Sequence, residues 1–229
     1  MITVPQRPLV IAFDVVETLF PLDPLGERLR QAGQSPQLLR LWFAQLLRDA
    51  FALTASGGYQ PFAELAVSAL RAIADVSEDA AKEVVAGFAI LDPHPDAAEA
   101  MHLAREAQVR IITLTNGSAT TTSALLERAE LRGYVELVIS VEAVRRWKPA
   151  PEPYRHAAAA CAVPPSQMAL VAAHGWDTHG AHRAGLSTGW VSRLEGRWNE
   201  RFDPPDVTGP DLVTVVHNLL ALEAQSAPR

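Results

Sequence analysis

Four short stretches of the chain place chemistry-bearing side chains directly after apolar runs: Asp14 and Thr18 in LVIAFDVVETLF, Thr115, Asn116 and Ser118 in TNGS, Lys148 in KPAPEPY, and Asp177 in AAHGWD. Leu9 to Phe13 is an unbroken apolar run with β-branched residues, the pattern of a strand buried on both faces, and Asp14 stands where it ends. A lone Asp after a strand more often caps a turn. At the C-terminal end of a central parallel strand, however, a carboxylate stands where α/β sheets place their chemistry. The other three stretches favour the second reading. Two carboxylates, an ammonium and several hydroxyl and amide groups, each following its own strand, can meet in one crevice, and these are groups of nucleophilic and acid–base catalysis. Taken singly, each has a structural alternative: Thr18 and Ser118 as helix caps, Asn116 beside Gly117 as a turn pair, and Lys148 before a proline as a solvated side chain.

The elements needed to position these groups are legible as alternating periodicities. Strands are expected at 9–13, 109–114, 137–140, 168–172 and 188–191, with helices at 97–107, 119–131, 151–161, 176–184 and 211–223 between or after them. This alternation implies a doubly wound parallel α/β sheet covered on both faces. Only helical signals occur from Leu25 to about Phe88. They comprise 35–54, with Ser35 as N-cap and Pro36 at the first position, then 61–74, and then 77–88 capped by Ser77. The expected organisation is therefore a core domain of residues 1–20 and 92–229, with an all-helical domain of residues 21–91 inserted after the first strand. Residues 193–210, with three prolines and two glycines, read as a surface loop.

The chain has 229 residues, 48% apolar and 20% charged, which suits an ordinary globular protein with a sizeable core. A net charge of −6 and scattered Lys and Arg argue against a nucleic-acid surface. No apolar run approaches roughly 18 residues and the first residues lack a secretory pattern, so no membrane partner and a cytoplasmic location are expected. The single cysteine, Cys161, excludes an internal disulfide and falls beside an alanine run as a small buried thiol.

The order and spacing of DVVETLF, TNGS, KPAPEPY and AAHGWD resemble the haloacid dehalogenase (HAD) superfamily of Asp-nucleophile hydrolases over essentially the whole chain. The helical insertion matches the position and size of that superfamily's mobile cap domain, with hinges expected near 21–26 and 92–95. The resemblance implies that Asp14 is a nucleophile forming a covalent ester. Thr18, Thr115, Asn116 and Ser118 contact the nucleophile, substrate carboxylate or leaving group. Lys148 holds Asp14 ionised, and Asp177 positions or activates the hydrolytic water.

Superfamily members that cleave phosphate esters generally carry an Asp acid two residues after the nucleophile and a Mg²⁺-binding carboxylate about four residues before the last Asp. Those positions are Val16 and Ala173. Val16 cannot protonate an alkoxide leaving group, whereas halide departs as a stable anion and needs neither proton nor metal. Tyr154 six residues after Lys148 and Trp176 before Asp177 agree with the L-2-haloacid dehalogenase branch. This branch implies attack by Asp14 on the halogen-bearing carbon of a small 2-halocarboxylate, without a cofactor.

Dehalogenases of that branch have Tyr at Val16, Ser at Ala172 and Asn at His174, and carry an Arg on the first cap helix. A gapless match places Trp42 at that Arg position, with Arg40 and Arg48 nearby. Substrate contacts are accordingly expected from Val15, Val16, Trp42, Thr115, Asn116, Ser118, Tyr154, His174 and Trp176. His174 has the pKa range to assist the water step. His179 and His182 are expected to be hydrogen-bonded structural imidazoles rather than parts of a metal site. A homodimer is possible through the apolar cap and last helix. The alternatives are a Mg²⁺-dependent phosphatase of the same superfamily and a noncatalytic relative.

Overall fold

The computed structural model describes residues 6–223. Six strands, β1 (Val10–Phe13), β2 (Arg110–Thr115), β3 (Leu137–Ser140), β4 (Met168–Ala172), β5 (Ser187–Val191) and β6 (Val207–Gly209), form one sheet in the order β3-β2-β1-β4-β5-β6. All neighbours are parallel, with Ile11 in register with Ile111 on one side and Ala169 on the other. The chain leaves β1 for β2 and β3, then returns across β1 to β4. The strand order therefore reverses at β1, opening a crevice beyond its C-terminal end.

Five helices cover the sheet: α5 (Ala97–Glu106), α6 (Ala119–Arg128), α7 (Pro151–Ala160), α8 (Gly175–Ala184) and α9 (Leu212–Leu220). Strand alternation sorts the core. Ile11 and Phe13 pack with Met101, Leu126 and Val215 from α5, α6 and α9, while Val10 and Ala12 pack with Ala157 and Ala181 from α7 and α8. With both faces covered, β1 and β4 are apolar at every position and fully buried, which explains the unbroken runs in the sequence.

Between β1 and β2 the chain forms α1 (Leu25–Gln31), α2 (Leu38–Ala55), α3 (Phe62–Ile73) and α4 (Glu78–Ala86), then a 3₁₀ turn at Gly87–Ile90. α3 buries Phe62, Leu65, Ala66, Ala69 and Leu70, an i, i+3, i+4 stripe that meets α2 and α4. Trp42 of α2 is fully buried and its indole Nε1 donates to the carbonyl of Ala66 at 2.9 Å, tying α2 to α3. The insertion meets the sheet domain through the segment that carries Lys148. Arg146 Nη1 donates to the Thr54 carbonyl at 2.7 Å, Trp147 Nε1 to the Gln60 carbonyl at 3.1 Å, and the Trp147 ring stacks on Phe62.

Several boundaries differ from the sequence reading. α2 begins at Leu38 rather than Ser35, because the Ser35 hydroxyl accepts from the Gln37 amide in a tight turn and makes no helix cap. Ser77, by contrast, caps α4 through the Ala80 amide. α1 was not resolved as a separate helix within the helical signals, and β6 lies inside the segment read as loop, where three residues pair with the edge of β5. The expected outer ends of the core, 1–5 and 224–229, lie outside the described residues. Among the described residues no helix is long and apolar enough to cross a membrane.

Candidate active site

Asp14 is the first residue past β1, and its amide still donates to the Val171 carbonyl of β4, so the sheet itself fixes its backbone. The next six residues fold back tightly. The Leu19 and Phe20 amides both return to the Val15 carbonyl, and Glu17 sits at φ +65°. This turn brings Thr18 Oγ1 to within 2.6 Å of Asp14 Oδ2, and the same hydroxyl accepts from the Ala173 amide at 2.9 Å. Thr18 thus orients the carboxylate and pins it to the end of β4, and it caps no helix.

Lys148 is completely buried, unlike the solvated lysine that its local sequence suggests. Its Nζ donates to Asp14 Oδ1 at 2.8 Å, to the Leu114 carbonyl at 2.8 Å and to Asp177 Oδ2 at 2.6 Å. An ammonium has three N–H donors, so all of them are committed within the protein. Burial alone would push the Lys148 ammonium down, but the adjacent charges of Asp14 and Asp177 outweigh it and hold the group above its ordinary range. Asn116 positions the segment by accepting from the Lys148 amide at 3.0 Å.

Asp177, in the first turn of α8, is also fully buried; its second oxygen accepts from the Tyr154 hydroxyl at 2.5 Å. Burial raises the Asp177 carboxyl above the usual carboxylate range, against the pull of Lys148. Burial, reinforced by Asp177, keeps the Tyr154 phenol neutral and donating, so Tyr154 positions Asp177 from beneath. Gly180, one helical turn after Asp177, allows this packing. A Cβ there would lie 2.5 Å from Pro149 Cβ and 2.7 Å from the Tyr154 hydroxyl.

Above Asp14 is a small chamber of about 10 Å³, walled by Val16, Phe43, Leu47, Phe62, Thr115, Asn116, His174 and Trp176. His174 stacks against Phe43 and Trp176, and its Nε2 lies 3.2 Å from Glu17 Oε2. Burial would lower its pKa, yet the bond to Glu17 and the charge of Asp14 raise it above the ordinary imidazole value. Sequence reasoning passed over Glu17, Phe43, Phe62 and Trp147. Glu17 stood within the DVVETLF stretch, but only its left-handed backbone and the facing imidazole reveal its place.

Trp42 does not reach this chamber, because its indole is used inside the insertion. Arg40 and Arg48 are exposed, and Arg48 pairs with Asp49. Among the described residues no arginine or lysine lines the chamber. Val15, Val16, Thr115 and Ser118 border a second, larger cavity, where Ser118 also caps α6 through the Thr121 amide. His179 accepts from the Asp203 amide as a structural imidazole, but His182 differs from expectation: its buried Nδ1 has no partner among the described residues.

The donor set does not fit a Mg²⁺ site. The position that would supply a further carboxylate carries only the buried methyl of Ala173, the Lys148 ammonium binds both Asp14 and Asp177, and no cluster of three His, Cys, Asp or Glu side chains that could hold a metal occurs among the described residues.

A parallel α/β core with a helical insert after β1, and an Asp–Lys–Asp cluster at the strand ends, defines a capped α/β hydrolase. The chain belongs to the haloacid dehalogenase-like hydrolase family, whose sequence model matches residues 9–185. It is 27% identical over 214 residues to haloacetate dehalogenase H-2 of Moraxella sp. (strain B), covering 90% of this chain and 96% of that one. An (S)-2-haloacid dehalogenase of Xanthobacter autotrophicus is 28% identical over 191 residues, 80% of this chain and 75% of that one. Among solved structures, an L-2-haloacid dehalogenase superposes with a TM-score of 0.87 at 27% identity, covering 94% of this chain and all of the other.

Proposed function

We propose that this hydrolase displaces halide from 2-haloalkanoic acids through an ester on Asp14. The observation that carries the reading is the commitment of all three Lys148 donors to Asp14, Leu114 and Asp177, beside positions 16 and 173 that offer no acid and no further carboxylate. Asp14 Oδ2 or Oδ1 attacks C2 from the side opposite the halogen, and the C–X pair leaves with the halide, inverting the carbon. Water then adds to the Asp14 ester carbonyl, giving up a proton toward Asp177. Collapse of the adduct breaks the bond between Asp14 Cγ and the substrate oxygen, which takes the proton of the added hydroxyl and leaves as the 2-hydroxy acid; Asp14 is again a carboxylate, and Asp177 gives its proton to solvent. The apolar walls Phe43, Leu47 and Phe62 strip water from the nucleophile, and Thr18 and Lys148 hold it in line for attack.

The test is halide release from chloroacetate, L-2-chloropropionate and fluoroacetate in EDTA and in Mg²⁺, with Asp14→Asn as control. Release is expected to persist in EDTA and to fall by about 10⁴-fold or more in the variant. Mg²⁺-dependent hydrolysis of p-nitrophenyl phosphate without halide release would overturn the reading.

A further inference from the structure

The chamber above Asp14 is too small for the whole of any haloacid. Its volume of about 10 Å³ is roughly the minimum needed to admit one water. Yet three of its walls, Val16, Phe62 and Thr115, are shared with a solvent-open cleft of about 660 Å³ lined by α3 and α4 of the insertion and by α6 of the core. That volume is in the range that holds drug-sized ligands, and it greatly exceeds what a two- or three-carbon acid fills.

We propose that this cavity seats an apolar tail on the substrate, so that the acid turned over best is a monocarboxylate with an unbranched or aryl tail of about six to ten carbons. The inference rests on the reading that Asp14 attacks C2, and it adds the part of the substrate beyond that carbon.

The lining supports an apolar occupant. α3 presents Ala63 and Val67 one turn apart, while Val85, Ala89 and Leu125 face in from the other sides. The cations at the rim are not free to receive a charged tail, since Lys82 lies 2.6 Å and Arg71 3.6 Å from Glu78. Glu64 and Glu142 add negative charge at the same rim and disfavour a second carboxylate on the ligand. On this proposal the tail of an acid whose C2 lies beside Asp14 passes between Val16 and Phe62, the walls common to both spaces, into the larger one.

The test is calorimetric binding of 2-hydroxy acids, the expected products, from about three to about twelve carbons, to the wild type and to Val67→Trp and Ala63→Trp. Ala63 is exposed, so its variant keeps the test sound if Val67→Trp fails to fold; thermal unfolding checks both. Each added methylene is expected to tighten binding about fourfold, the factor equivalent to about 0.8 kcal/mol, and the tryptophans are expected to erase that gain. A flat series, or a gain that both folded variants retain, overturns the proposal. Binding does not depend on turnover. A chain-length gain without halide release from any acid would sink the dehalogenase reading and leave the cavity assignment standing, and halide release with a flat series would do the reverse.

Discussion

The two sides of Asp14 are built on opposite principles. Beneath it, Lys148, Asp177, Tyr154 and Thr18 form a buried polar floor in which the ammonium, the phenol and the threonine hydroxyl all have protein partners. Above it, aromatic and aliphatic walls surround one titratable pair, His174 and Glu17. A fully satisfied network in low dielectric is rigid, so the floor presents the carboxylate in a single geometry. The roof makes few directional bonds, and its shape is set by packing between the insertion and the core. On the proposed reading, the same reaction would be kept while the accepted molecule changes, with the floor fixing the attack and the roof fixing what fits.

Lys148→Met breaks the floor most severely. It leaves Asp14 and Asp177 as two buried carboxylates without their shared cation, and removing one partner from such a cluster costs about 3–5 kcal/mol. Urea unfolding at neutral pH should show that loss, and acidification should shrink it as a carboxylate takes up a proton. A loss under about 1 kcal/mol would mean that the network is not a stabilising unit. Gly180→Ala attacks the same floor from below, since the new methyl meets Pro149 and the Tyr154 hydroxyl at 2.5 and 2.7 Å. Overpacking of this kind costs about 1–3 kcal/mol, and displacing Tyr154 from Asp177 should lower turnover about tenfold or more. Unchanged activity would show that Asp177 does not depend on Tyr154 for its placement.

The floor was also the more legible side in sequence. Asp14 follows β1 and Asp177 stands in the first turn of the helix after β4, so apolar runs announce both, and parallel topology gathers such ends. The burial of Lys148 was not locally legible. It depends on Asp14 and Asp177, 134 and 29 residues away, which supply the charge that makes a buried ammonium tolerable. The roof escaped for a different reason. Trp42 and Phe43 are adjacent on α2, and a rotation of one position decides which of them faces the chamber. Helical periodicity marked Trp42 and passed over Phe43; packing against Ala66 and His174 shows that Phe43, not Trp42, faces the chamber. β6 was missed because three residues carry no usable alternation.

Glu17→Gln probes the roof and should have the smallest effect. His174 is met by Glu17 and the field of Asp14 from the β1 turn, by Asp177 from α8, and by the neutral rings of Phe43 and Trp176. Lys148, the nearby cation, has no free donor. The folded imidazole is raised above its unfolded value, so its protonation stabilises the protein. That contribution is complete below the ordinary imidazole range and is lost as pH rises through the folded value. Removing the Glu17 charge lets burial dominate and lowers the imidazole pKa. The stability gap between wild type and variant should therefore be widest near pH 5.5 to 6, at no more than about 1.5 kcal/mol, and should narrow toward alkaline pH. In kinetics, an imidazolium beside an anionic substrate predicts that kcat/KM falls as pH rises through the folded His174 value. Glu17→Gln should move that limb to lower pH, and His174→Asn should remove it. A limb that stays in place in both variants would assign it to another group and leave the roof a purely steric boundary.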